Sequence, residues 1–132
     1  MEKVKEIIVG VVKRGDKFLI LRRKSNNKFD PDKWEFVSAF IKDKTNLEKY
    51  AKEQVYKETG LETEFLKSGE DFKVNDEYGL WLIHPFLFET FGDDVVLQPK
   101  DHSEYKWVLG EDLKIYRTIK DLDQNLKSLD LL

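Results

Sequence analysis

The chain predicts an α/β (α+β) domain in which helices sandwich a mixed β-sheet, and three observations predict it. Two β-branched apolar runs, residues 4–12 and 17–23, flank Arg14-Gly15-Asp16, the pattern of a β-hairpin. Residues 45–59 carry apolar side chains at helical spacing and end at Gly60. The remainder is rich in strand-like runs and closes on a second amphipathic segment. With 132 residues there is room for one core, so the expectation is a single domain over 1–132.

The first run is apolar on both alternating faces, with Ile7, Val9 and Val11 against Ile8 and Val12. That predicts a central strand covered on both sides. Residues 24–33 form a polar loop of turn-forming residues, and residues 33–40 a short strand. Thr45 is the expected N-cap of the first helix, with Glu48 as its capping-box partner. Leu47, Tyr50, Ala51, Val55 and Tyr56 form the apolar stripe, and Glu53 with Lys57 forms an i,i+4 pair on the outer surface. Residues 61–66 and 79–91 read as strands, with a bulge or an unpaired side expected at Pro85. Residues 103–108 read as another strand. Residues 118–131 read as a second helix, with Ile119, Leu122, Leu126 and Leu129 on one stripe.

Composition narrows the chemistry. The chain has no cysteine, which excludes disulfides, thiolate catalysis and Cys-based zinc sites, and His84 and His102 alone do not make a zinc site. The longest early apolar run, residues 7–12, is too short for a signal-peptide core or a membrane span, so a cytoplasmic protein with no membrane partner is expected. The net charge of −3 is unevenly spread: residues 13–57 hold 13 Lys/Arg against 7 Asp/Glu, and residues 58–132 hold 8 against 17. The basic first half suits a phosphate-bearing ligand, although a solvated surface of mixed charge explains the same numbers.

A strand, loop and helix with carboxylates on one helix face is a way to hold Mg²⁺ against a pyrophosphate, because the ion takes oxygen ligands in octahedral geometry. The segment WEFVSAFIKDKTNLEKYAKEQVYKETGL, residues 34–61, resembles the Nudix box, G-x5-E-x7-R-E-U-x-E-E-x-G-U with U aliphatic. The register set by Lys57-Glu58-Thr59-Gly60-Leu61 places Ala39 at the first Gly, Thr45 at the first Glu, Glu53 at the Arg and Gln54 at the next Glu. Val55, Glu58, Gly60 and Leu61 match, and Lys57 and Glu58 stand where the family pairs two glutamates. Trp34-x-Phe36, Ala51, Leu19-Ile20-Leu21-Arg22-Arg23 and Ser103-Glu104-Tyr105-Lys106-Trp107-Val108 also resemble Nudix patterns, from residue 5 to about 129.

The resemblance implies a Nudix-like, MutT-like sandwich and, where active, Mg²⁺-dependent pyrophosphohydrolysis of a nucleoside diphosphate derivative. Glu58 would then be the surviving metal ligand, with Glu53 or Gln54 completing the site and Glu104 at the place of a catalytic base. The residues depart from that pattern. Lys57 brings an ammonium to a position built around a cation, and the two would repel by a few kcal/mol at low effective dielectric. Val37, Ser38 and Ala39 replace the usual Pro-Gly-Gly, so side chains stand where glycines permit close approach. The favoured reading is a Nudix fold with a degenerate metal site and little or no standard hydrolysis. It would bind a nucleotide, another phosphorylated small molecule or RNA through Arg22, Arg23 and Lys57, with no certain cofactor. Phe29 is the candidate for base stacking, or else an anchor for its own loop. The alternatives are an active hydrolase with a rebuilt Mg²⁺ site and a structural or partner-binding domain; family analogy adds a homodimer. His84, Trp34, Trp81 and Trp107 are expected in the core.

Overall fold

A computed structural model describes residues 3–132. The longest strand pairing is between β1 (Lys5–Arg14) and β7 (Gly79–Glu89), which run parallel from Lys5↔Trp81 to Lys13↔Glu89. β1 turns at Gly15 into β2 (Lys17–Arg23), as the hairpin pattern predicts, and β2 takes β8 (His102–Leu109) on its outer side. On the far edge of β7 lie β5 (Glu64–Ser68) and β6 (Phe72–Asp76), both antiparallel to it.

The sheet forks. β1 and β2 pair only beside their turn, at Lys13↔Phe18 and Arg14↔Lys17. Beyond that each takes a different piece of the next segment: β2 pairs with β3 (Trp34–Glu35) and β1 with β4 (Val37–Phe40). The single strand expected over residues 33–40 is thus two short strands that change partner at Phe36. Glu35 and Ser38 sit at the mouth of the fork, where a cleft opens.

Both faces of β1 are covered, as its double apolar pattern requires. Ile8, Val12, Leu19 and Leu21 pack under Ala51 and Val55 of helix α1 (Leu47–Thr59), and Val9, Val11, Phe18 and Ile20 pack with Leu122, Leu126 and Leu129. Close helix packing needs Gly10: a Cβ added there would lie 2.6 Å from Val55 Cγ2. Gly60 ends α1 in the left-handed conformation, φ 73°, with its N–H donating to the Tyr56 carbonyl at 2.7 Å.

Three sequence expectations are corrected here. The N-cap of α1 is Asn46, whose side chain accepts from the Lys49 N–H at 3.1 Å, and the Thr45 N–H instead donates to Asp43. The second helix shrinks to α2 (Asp123–Ser128), because Thr118 bridges to Trp34 in parallel and Asp121 adopts φ 59°, which stops helix propagation. The strand expected at 61–66 starts later, at Glu64. Pro85 is paired with Val9 of β1, and on its other side accepts from the Gly69 N–H at 3.0 Å, in the gap where β7 changes partner from β5 to β6. Its missing N–H falls in that gap. No helix among the described residues is long and apolar enough to cross a membrane.

Candidate functional site

The fork opens into a cleft of about 490 Å³, walled by the loop between β2 and β3, by β4, by the exposed side of α1 and by the residues leading into β8. One end is aromatic. Phe29, Phe40 and Trp81 meet there, with Phe29 edge-on to both Trp81 (5.4 Å between centroids) and Tyr78 (5.2 Å). Phe40 is 48 % exposed, so an aromatic surface faces the cleft. The indole Nε1–H of Trp81 donates to Asp76 at 2.9 Å.

The other end is a buried charge array. Glu35, 2 % exposed, accepts from Arg23 Nη1 (2.8 Å) and His102 Nε2 (2.9 Å) on one oxygen and from the Ser38 hydroxyl (3.0 Å) on the other. The second nitrogen of His102, Nδ1, lies 3.7 Å from Glu58 Oε2; neither atom has a hydrogen-bond partner. Burial alone would lower the His102 pKa, but the hydrogen bond to Glu35 and the negative charges of Glu35 and Glu58 push it up to about 9. Burial would raise Glu35 likewise, yet the His102 bond, the Arg23 charge and the Ser38 bond hold it below the ordinary carboxylate value. His102 thus stands between two carboxylates, with one nitrogen toward each, and both neighbours favour its protonated form. Among the described residues no group of three His, Asp or Glu could hold a metal ion.

Gln54, Lys57 and Glu58 share the cleft face of α1, and Lys42, Lys57 and Lys100 rim the opening. Among the described residues none of these three lysines has a carboxylate within the 4.0 Å limit for an ion pair, nor does Glu53 pair with Lys57 as the i,i+4 spacing predicts. The cleft carboxylates, by contrast, are mostly engaged: Asp30 with Lys33, Asp76 with Trp81 and Tyr78, Glu35 with Arg23 and His102; Asp101 lies beside Lys100 on the rim.

Of the sequence candidates, Arg23, Phe29, Gln54, Lys57 and Glu58 line the cleft; Arg22, Glu53 and Glu104 do not. Arg22 pairs with Glu104 at 2.8 Å across the β2–β8 ladder and lies 3.8 Å from Asp32, so the two residues serve each other. Trp34 is in the core as expected, whereas Trp81 lines the cleft. His84 is satisfied, with Glu6 at 3.0 Å and Asp71 at 2.9 Å. Glu35 and His102 are the members that sequence reasoning missed. They are 67 residues apart, and Glu35 looks like the outward residue between Trp34 and Phe36 until the fork turns it inward.

The NUDIX domain family model matches residues 4–129. The chain belongs to the Nudix family. Its fold is that of MutT structures: the MutT protein from Methanosarcina mazei Go1 superposes with a TM-score of 0.81 at 19 % identity, over 98 % of this chain and 94 % of that one. An Ap4A hydrolase from C. elegans, solved as a binary complex, gives 0.76 at 16 % identity, over 96 % and 95 %. The NUDIX domain of Shewanella oneidensis NrtR, complexed with ADP ribose, gives 0.75 at 18 % identity, over 98 % and 88 %. No curated protein matches this Nudix chain in sequence.

Proposed function

We propose that this Nudix domain binds a nucleotide or similar phosphorylated small molecule without a divalent metal, and has little or no standard pyrophosphohydrolase activity. The observation that carries the reading is the pairing pattern of the cleft: its inner carboxylates are neutralised by Arg23 and His102, while Lys42, Lys57 and Lys100 stand at the rim with no ion-pair partner. Mg²⁺ requires oxygen donors with their negative charge available. One carboxylate that faces an imidazolium, one neutral amide at Gln54 and an ammonium at Lys57 do not fit that requirement. The lysines suit phosphate oxygens, and the aromatic end suits a flat ring. A volume of about 490 Å³ also lies in the range of small-molecule pockets.

Lys57→Ala should weaken ADP binding measured by calorimetry in EDTA by about ten- to a hundredfold, since a charge-assisted hydrogen bond contributes roughly 1.5–3 kcal/mol. Absence of any binding of phosphorylated ligands by the unmodified protein in EDTA would overturn the reading. The competing one, an active hydrolase, is favoured by family membership and by the Ap4A hydrolase among the solved relatives. Robust Mg²⁺-dependent turnover of nucleoside diphosphate derivatives, abolished by Glu58→Gln, would establish it instead.

A further inference from the structure

Arg23 is bonded along the whole length of the loop between β2 and β3. Its N–H donates to the Lys33 carbonyl (2.9 Å) and its own carbonyl accepts from the Asp32 N–H (3.2 Å), which closes the base of the loop. Its side chain reaches the middle: Nε donates to the Phe29 carbonyl at 2.8 Å and Nη2 to Asn27 Oδ1 at 2.7 Å, while Nη1 is held by Glu35. Asn27 Oδ1 also accepts the Phe29 N–H at 3.0 Å, and the Asp30 N–H donates to the Tyr78 hydroxyl at 3.0 Å. Two non-glycine residues of this loop, Asp30 and Asp32, have positive φ, 44° and 65°. Such backbone persists only where the surroundings over-determine it. Tyr78 and Lys33 hold Asp30, Arg22 and the Arg23 carbonyl hold Asp32, and the Arg23 guanidinium, fixed by a buried carboxylate, holds Asn27 and Phe29 ahead of them.

We propose that Arg23 is a positioning residue: it holds the 24–33 loop in its cleft-facing shape before any ligand arrives, and thereby sets the aromatic end of the cleft. Each nitrogen of the guanidinium already donates one bond to the protein, three of its five N–H groups, so the basic residue that the sequence offers as a phosphate contact acts through Phe29 and its neighbours. The buried Glu35 is shared between Arg23 and His102, so one anion fixes both ends of the site. The inference rests on the ligand-binding reading above for its consequence and on the loop geometry alone for its premise.

Lysine keeps the charge but cannot bond three acceptors in the fork geometry of arginine. Arg23→Lys should therefore speed hydrogen exchange at the Phe29 and Asp30 amides at least roughly tenfold relative to sheet amides such as Val11 and Leu87. Asn27→Ala leaves the Arg23–Glu35 pair intact and removes the loop acceptor, so it should speed exchange at Asp30 should Arg23→Lys fail to fold; Phe29, whose own acceptor is Asn27, is read only in Arg23→Lys. In calorimetry without metal, both variants should weaken ADP about tenfold while pyrophosphate binding stays within about twofold, because only ADP uses the aromatic end. Unchanged exchange at both amides in folded Arg23→Lys, or at Asp30 in Asn27→Ala, would overturn the proposal. So would parallel loss of ADP and pyrophosphate in Arg23→Lys with normal binding in Asn27→Ala, which is the behaviour of a direct phosphate contact. If the unmodified protein binds neither probe, the proposed function falls, and amide exchange alone then decides the positioning role.

Discussion

A buried imidazole next to one carboxylate can be neutral or charged, but between two carboxylates the charged form is the one that both neighbours reward. His102 occupies that place, and its raised pKa has a consequence for stability. The folded value of about 9 lies above the ordinary 6.5, so the interaction stabilises the fold fully below pH 6.5 and is lost as pH rises through 9. Glu35 runs the other way: its folded pKa is depressed, so its contribution is present above the ordinary value of 4.5 and is lost as pH falls below it. Thermal melts of the wild-type protein should therefore decline between pH 6.5 and 9 by an amount worth at most about 3 kcal/mol. His102→Gln should be less stable at pH 6 and should lack that decline. A wild-type melting curve that is flat across this window would show that the imidazole is neutral in the fold.

At the scale of elements, the close seat of α1 on the sheet depends on an absence. Val55 is fully buried and its Cγ2 occupies the space where a side chain at position 10 would project. Gly10→Ala should destabilise the protein by about 1–3 kcal/mol through overpacking, and Val55→Ala in the same background should recover part of the loss, because the two methyl groups compete for one space. Chemical denaturation of the two single variants and the double variant measures the coupling; strict additivity would refute it. The elements that were legible in the sequence are those with local signals. β1 announced itself by apolar residues on both faces, α1 by its stripe and Gly60, and the hairpin by Gly15. β6 went unread because Phe72–Asp76 buries only Val74 fully and is held by pairing with β7, a long-range partner. Residues 118–131 were over-read as helix because Ile119, Leu122, Leu126 and Leu129 keep helical spacing and three of them are buried in the core. Spacing records which side chains face inward and is blind to the Asp121 turn that interrupts the coil between them.

Across the whole molecule, the family scaffold is written over residues 4–129, whereas the cleft depends on pairs that only the folded chain brings together. Lys57 and Glu58 were visible as departures and survivals within one helix. The place of His102 between Glu35 and Glu58 was not visible, since it needs the β2–β8 pairing to reach Glu35 and the start of β8 to face α1. This separation of scaffold and site yields a reversal experiment. Gln54→Glu with Lys57→Glu returns carboxylates to two positions to which the Nudix resemblance assigns metal ligands, and shifts the formal net charge from −3 by a further three negative charges. The added anions surround Glu58 with the oxygen donors that a divalent ion requires and remove the ammonium that repels it. The double variant should bind Mn²⁺ about tenfold or more tightly than the wild type in calorimetric titration, each factor of ten corresponding to about 1.4 kcal/mol. Its ADP binding should become dependent on the ion and fail in EDTA, because Lys57 no longer answers the phosphate. Tight Mn²⁺ binding of equal affinity in the two proteins would mean that Glu58 already holds metal despite His102, and would favour the hydrolase; no binding in either would refute the reversal.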